Sequence, residues 1–237
     1  MEGRFLLVDN YSNYASINGE EIYNRLKEDI LTLKLKPGQR ISENAIAGEY
    51  NVSRTPIKTA FLRLKGEKYI EIIPQKGSFI TLLDIRYIKD VIYMRAALEM
   101  DMLSGIIDNG YTGKVVALLE ENMAEQRQLL SSGGITPSAF YDIDSAFHYI
   151  LFETMGRRKM MDIIQDCQVY YTRFRLLDTL TTARYSELYN EHENILCALK
   201  AEDKELLKKS VFDHLHGNLQ KLAEKIEGEF KEYFVQY

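Results

Sequence analysis

Only four histidines occur in 237 residues, and three of them fall where a helix would carry an apolar side chain. Asp144, His148, Leu151 and Met155 recur at spacings of four, three and four, which places them along one face of a helix. Leu188, His192, Ile195 and Leu199 repeat the spacing, and Leu207, Val211 and His214 continue it on a further segment. Stripes of this period face a protein interior. Burying such groups without partners costs roughly 1–3 kcal/mol for each unsatisfied polar group and more for a charge. Asp144, His148, His192 and His214 must therefore satisfy one another in a hydrogen-bonded cluster or bind something. One carboxylate and three imidazoles suit a divalent metal ion, zinc first, with nickel, cobalt, manganese or iron also compatible with these ligand types. The remaining histidine, His216, matches no position in the set and reads as a surface or interface residue.

A second kind of chemistry resides in the stretch from Asn51 to Ile80. Ile57, Ala60, Phe61 and Leu64 fall at i, i+3, i+4 and i+7, so this segment is a helix with one buried side. Ser53 or Thr55 can cap its start, and Pro56 is tolerated in the first turn. Arg54 and Lys58 stand four residues apart on the face opposite the apolar stripe. After the helix, Tyr69 to Ile73 and Ser78 to Leu82 read as two short strands joined by a turn at Pro74 to Gly77. A helix followed by a hairpin with Lys76 and Gly77 at its tip has a winged-helix layout.

The elements that must position these groups follow from the same periodicities. Residues 1–16 carry none and form an N-terminal arm. Ile22, Leu26, Ile30 and Leu33 mark a helix from Asn18 to Leu33, closed by Lys36, Pro37 and Gly38, and a short helix runs from Ser42 or Glu43 to Tyr50. A short helix, a tight turn and a second helix with a polar leading end make a helix-turn-helix. Beyond Leu82 the strand signals stop. Six helices are expected at about 84–107, 113–131, 137–155, 157–178, 185–200 and 203–233, with breaks at Asn109 and Gly110, the SSGG run at 131–134, Gly156, the threonine run at 179–182, and Ala201 to Asp203. The fold class is thus mainly α, with a winged helix-turn-helix over 17–82 and an all-helical bundle over 83–237.

An apolar fraction of 46% is ordinary for a globular protein, and no apolar run approaches the roughly 20 residues of a membrane span. The segment MEGRFLLVDN has too short an apolar stretch for a signal peptide, so a cytoplasmic protein is expected. Cys167 and Cys197 lack metal-type spacing and read as buried thiols. The net charge of −5 divides unevenly, +2 over residues 1–80 and −7 over the remainder, so the basic balance lies with the helix-turn-helix.

The run IYNRLKEDILTLKLKPGQRISENAIAGEYNVSRTPIKTAFLRLK together with the wing IIPQKGSFI resembles the DNA-binding domain of GntR-family bacterial transcription regulators. The resemblance implies that Ser53, Arg54, Thr55 and Lys58 enter the major groove of operator DNA while Lys76 and Gly77 approach the minor groove. Lys58 stands where the family more often has arginine, which removes bidentate geometry at that position, and Lys68 stands where glycine is usual. In the second domain, YMRAALE at 93–99, DSAFH at 144–148, EHENIL at 191–196 and DHL at 213–215 resemble the effector domain of the FadR subfamily, in its short VanR-like six-helix form. That resemblance implies a divalent metal held by Asp144, His148, His192 and His214. It also implies that Arg95 binds a carboxylate effector, for which an ion pair with Glu99 at i+4 is equally expected and compatible; Arg173, beside Tyr170 and Leu177, is read as a second effector-binding arginine of the same kind. Tyr149, Tyr170 and Tyr171 read as core.

The expected function is a ligand-responsive regulator, a repressor by family habit, that binds a palindromic operator as a homodimer and senses a small organic acid at the metal. Two rivals differ in class. One is a metal-dependent hydrolytic enzyme with an accessory winged helix, although the chain carries no HExxH-type general base and no phosphate-cradling glycine loop. The other is a regulator whose metal is purely structural.

Overall fold

A computed structural model describes residues 18–166, 169–182 and 184–237. The N-terminal arm, residues 1–16, and Cys167 lie outside the described residues. Helix α1 (Gly19–Leu31) starts at Asn18, whose Oδ1 accepts from Glu21 N at 2.9 Å, and two glutamates in its first turn complement the helix dipole. Its buried stripe of Ile22, Leu26 and Ile30 packs on α3 (Arg54–Gly66), which also receives α2 (Glu43–Glu49). Ile57, Ala60, Phe61 and Leu64 are buried, as their spacing requires.

The wing is β2 (Ile70–Ile73) and β3 (Gly77–Ile80), antiparallel with Ile73 opposite Gly77. A third strand, β1 (Arg40–Ile41), pairs with β3 to give the order β1-β3-β2. Two residues are too few for an alternation, so β1 leaves no trace in the sequence pattern. At the wing turn Gly77 has φ +117°, and a Cβ there would stand 3.1 Å from the Arg40 Nε that lies across it. The backbone conformation favours glycine, and any side chain there would also push Arg40 aside.

The end of α3 is a Schellman closure: Lys68 N donates to Lys65 O and Tyr69 N to Leu64 O. Lys68 occupies the left-handed position with φ 63°, where glycine is the unstrained residue.

The second domain comprises α4 (Ile85–Asp108), α5 (Thr112–Ser131), α6 (Pro137–Thr154), α7 (Arg158–Asp166), α8 (Val169–Thr182), α9 (Tyr185–Lys200) and α10 (Lys204–Glu227), followed by a 3-10 turn at Lys231–Tyr233. Five of the six expected helices start within two residues of their expected positions. Over the segment expected as a helix at 157–178, the described residues are helical as α7 and α8, on either side of residues 167 and 168, which lie outside the described residues. The last helix stops at Glu227 rather than 233, because the following turn folds Phe230 and Phe234 back onto the core, where they are buried. The returning tail binds the linker between the domains: Leu83 N donates to Tyr233 O at 2.8 Å and Val235 N to Leu83 O at 2.9 Å. Cys197 is exposed with a free thiol, not buried as expected; its α9 neighbours Leu196, Ala198 and Leu199 take the inward positions. Among the described residues no helix is long and apolar enough to cross a membrane.

Because Lys68 holds a left-handed conformation, Lys68→Gly should stabilise the amino-terminal domain by about 1 kcal/mol, read as a higher midpoint in chemical denaturation. An unchanged or lower midpoint would show that the cap is not strained.

Candidate metal centre and DNA-facing surface

Three packed helices bring the four polar residues of the apolar stripes together. Asp144 and His148 come from α6, His192 from α9 and His214 from α10; the first three are fully buried and His214 is 5% exposed. One ligating atom from each lies within 4.8 Å of all the others. His192 Nε2 is 3.6 Å from Asp144 Oδ1, His148 Nε2 is 3.8 Å from Asp144 Oδ2, and the Nε2 atoms of His148 and His214 are 3.2 Å apart. Ligand atoms held about 2.0–2.1 Å from a tetrahedral ion stand about 3.3 Å from one another.

The far side of each imidazole decides what the near side offers. His148 Nδ1 lies 2.8 Å from Glu99 Oε2, His192 Nδ1 lies 3.0 Å from Gln126 Oε1, and His214 Nδ1 lies 3.0 Å from Glu191 Oε2. The Glu99 carboxyl is raised by burial but held down to about 2 by the Arg95 guanidinium and His148, so it can only accept. The Gln126 orientation is anchored too: its Nε2 donates to Asn122 Oδ1 at 2.7 Å, and Asn122 Nδ2 donates to the Ile143 carbonyl at 3.0 Å. With acceptors at every Nδ1, the neutral form of each ring carries its proton there and turns the Nε2 lone pair to the centre.

Two lone pairs opposed at 3.2 Å repel, and two buried atoms of the centre, Asp144 Oδ1 and His192 Nε2, have no hydrogen-bond partner. A cation between them removes both penalties. Burial lowers the pKa of His148 and pushes that of His192 well below the ordinary imidazole range, which keeps both rings neutral and ready to ligate. Burial works to raise the Asp144 carboxyl, but the Arg175 guanidinium holds it well below the usual range. The donor set, the tautomers and the orphaned atoms therefore all fit a divalent ion.

Several of these residues escaped the sequence reading. Glu99 was in view only as a partner for Arg95, and Glu191 precedes His192 but turns to His214. Asn122 and Gln126 signal themselves as a polar i, i+4 pair within the stripe of Leu119 and Met123. Arg175, which donates through Nη2 to Asp144 Oδ2, went unnoticed beside Arg173. Arg173 itself lies elsewhere: it donates to the hydroxyl and carbonyl of Thr81, both at 2.8 Å. Residues two apart on a helix point about 200° apart, so only one of this pair can face the centre. Arg95 forms the expected ion pair, Nε donating to Glu99 Oε1 at 2.8 Å, while Nη1 donates to the Tyr171 hydroxyl at 3.1 Å. Its Nη2 lies 2.7 Å from the same Glu99 oxygen but out of line for a hydrogen bond. Tyr171 is core as expected, whereas Tyr149 and Tyr170 are only half-buried. His216 is half-buried and stacks on Phe212.

On the other domain, Ser53, Arg54, Thr55 and Lys58 at the leading end of α3 are exposed, as is Lys76 at the wing tip. Ser53 is the N-cap residue, without a side-chain cap bond. Arg54 and Gly77 line one groove of about 750 Å³ with Arg40 and Glu43. Arg54 is restrained only by an exposed contact with Glu43 at 3.5 Å.

Residues 18–80 match the model of the gntR family of bacterial regulatory proteins, and residues 90–217 match the FCD domain. An uncharacterized HTH-type transcriptional regulator in an unstable DNA locus of Streptomyces ambofaciens is 26% identical over 92% of this chain and 90% of its own. The HTH-type transcriptional repressor RspR of Escherichia coli is 24% identical over 98% of this chain and 100% of its own. The gluconate operon transcriptional repressor of Bacillus licheniformis is 24% identical over 88% of this chain and 85% of its own. Among solved structures, Escherichia coli McbR/YncC superposes with a TM-score of 0.63 at 20% identity, covering 87% of this chain and 97% of that one. These families and relatives are transcription regulators, not enzymes.

Replacing Gln126 by methionine removes the acceptor of His192 without stranding a charge. Gln126→Met should weaken zinc binding about 10–100-fold in a calorimetric titration, and His192→Ala should weaken it further. Unchanged affinity in Gln126→Met would separate the outer partners from the centre.

Proposed function

Because the chain belongs to the GntR family and joins that family's DNA-binding domain to an FCD domain, we propose that it is a homodimeric repressor whose hold on a palindromic operator is set by a small organic acid at a divalent metal. The observation that carries the sensing half is the convergence of three Nε2 lone pairs on a buried carboxylate, with Asp144 Oδ1 and His192 Nε2 left unbonded. Zinc suits this nitrogen-rich set best, with nickel, cobalt, manganese and iron as alternatives. When bound, a metal whose coordination expands beyond these four ligands would offer a position to a carboxylate. Asp144, His148, His192 and His214 hold it, while Glu99, Gln126 and Glu191 keep the rings aimed. Arg95, a buried cation paired with Glu99 beside the centre, supports an anionic ligand through its charge. Arg173, committed to Thr81, is left out of the effector site in this reading. A relative named for repressing a gluconate operon is in keeping with both the organic acid and repression.

At the other end, Ser53, Arg54, Thr55 and Lys58 would read the major groove, with Lys76 and Gly77 at the minor groove. Two copies related by a two-fold axis would meet the two halves of a palindrome. Lys58 contributes a point charge where arginine would grip a guanine with two bonds, so Arg54 carries most of the base selection. The near-complete burial of all four ligands also supports a second reading, in which the metal only ties α6, α9 and α10 together.

DNA fragments selected by the full-length protein from a random pool test the output half. Binding to the selected site should fall steeply with salt, and Arg54→Ala should lose about 1–3 kcal/mol of discrimination at the bases it reads. Undiminished selectivity in that variant would remove α3 from the reading of the operator. Release of the fragment by a small carboxylate in zinc-loaded but not chelated protein separates a sensing metal from a structural one.

A further inference from the structure

Helix α8 has one face on the metal centre and the other on the DNA-binding domain. Tyr171 and Arg175 lie one turn apart and share a face, and Arg173, two residues from each, points the opposite way. On the first face Arg175 pairs with Asp144, and the Tyr171 hydroxyl accepts from Arg95 Nη1, the arginine that holds the Glu99 carboxylate on His148. On the second, Arg173 donates from Nη1 to Thr81 Oγ1 and from Nη2 to Thr81 O, both at 2.8 Å. Thr81 is itself fastened to the residues that close α3: its Oγ1 donates to Lys68 O at 2.7 Å and its N to Tyr69 O at 3.0 Å.

The Arg173 contact is a costly one. The side chain is fully buried, its partners are neutral oxygens, its Nε has none, and among the described residues no carboxylate pairs with it. Burial pushes its guanidinium down to about 10. A buried cation without an anion gains on release to water part of what it loses in contacts, so a small shift of α8 can exchange one state for the other.

We propose that α8 is a lever between the metal centre and the recognition helix: Tyr171 and Arg175 follow Asp144 and His148, and the Arg173–Thr81 hook passes the displacement to the C-terminal end of α3. The inference rests on the reading of the Asp144 cluster as a metal site. Its physical basis is two sets of hydrogen bonds, one from His148 and Asp144 to Tyr171 and Arg175 and one from Arg173 through Thr81 to Lys68, joined by the α8 backbone.

Hydrogen exchange of the full-length protein, read by mass spectrometry with Zn²⁺ alone or with EDTA, tests the lever, and zinc affinity is titrated in parallel. In the wild type, amides over residues 64–70 should change exchange rate by on the order of fivefold or more between the two states, the low end of ordinary coupling between sites. Arg173→Met keeps length and apolar bulk but deletes the hook. It should bind zinc as the wild type does and lose the change at 64–70. Thr81→Val, which removes only the hydroxyl, provides a second variant should Arg173→Met fold poorly, and it should diminish the same change. A zinc-dependent change that persists in both variants, or its absence in a wild type that binds zinc, overturns the lever alone. A wild type that binds no zinc overturns the metal reading, and the lever with it.

Discussion

Taking one carboxylate and three imidazoles out of water is the constraint to which the helical domain answers. Each buried group needs a partner on every polar atom, and the protein meets this by surrounding the cluster with acceptors: Glu99 from α4, Gln126 from α5 and Glu191 from α9. Those acceptors are tied down in turn, Glu99 by Arg95 and Gln126 through Asn122 to the Ile143 carbonyl. What the surrounding shell leaves unsatisfied lies at the centre, at Asp144 Oδ1 and His192 Nε2, and that is where a cation fits. The arrangement draws on α4, α5, α6, α8, α9 and α10, so the cluster is also a common anchor for most of the bundle.

The same constraint reaches the amino-terminal domain through α8. Asp144 needs a counter-charge, and Arg175 supplies it; that choice turns Arg173 toward Thr81 and the end of α3. The two domains also share the C-terminal tail, whose backbone pairs with Leu83 in the linker. Charge keeps their tasks apart. The helical domain carries the acidic balance and would be repelled by a phosphate backbone, while exposed Arg54, Lys58 and Lys76 stand on the domain whose balance is basic.

Much of this was legible before any coordinates. Helical period located the stripes, and polar residues within them, Asp144, His148, His192 and His214, identified the centre because their placement contradicts burial. The winged helix was equally plain from Ile57, Ala60, Phe61 and Leu64 and from the turn before Gly77. What stayed hidden has a common cause: it depends on which elements meet. Glu99, Gln126 and Glu191 sit on helices other than those of the rings they hold, and no spacing along the chain encodes that. The exchange of Arg173 for Arg175 turned on the rotation of a single helix, which an apolar pattern with arginines on two faces does not fix. The strand β1 is too short to alternate. Lys68 is the reverse case, a position whose left-handed backbone makes sense of the glycine expected there.

If the metal centre governs the hold on DNA, then DNA must govern the centre by the same factor, since coupling between two sites is reciprocal. The most direct measurement is the zinc dissociation constant of the full-length protein, free and saturated with its selected DNA site. A difference of about 5–150-fold between the two constants is expected for a centre that controls DNA binding. Equal constants would contradict it and leave the metal as a structural tie.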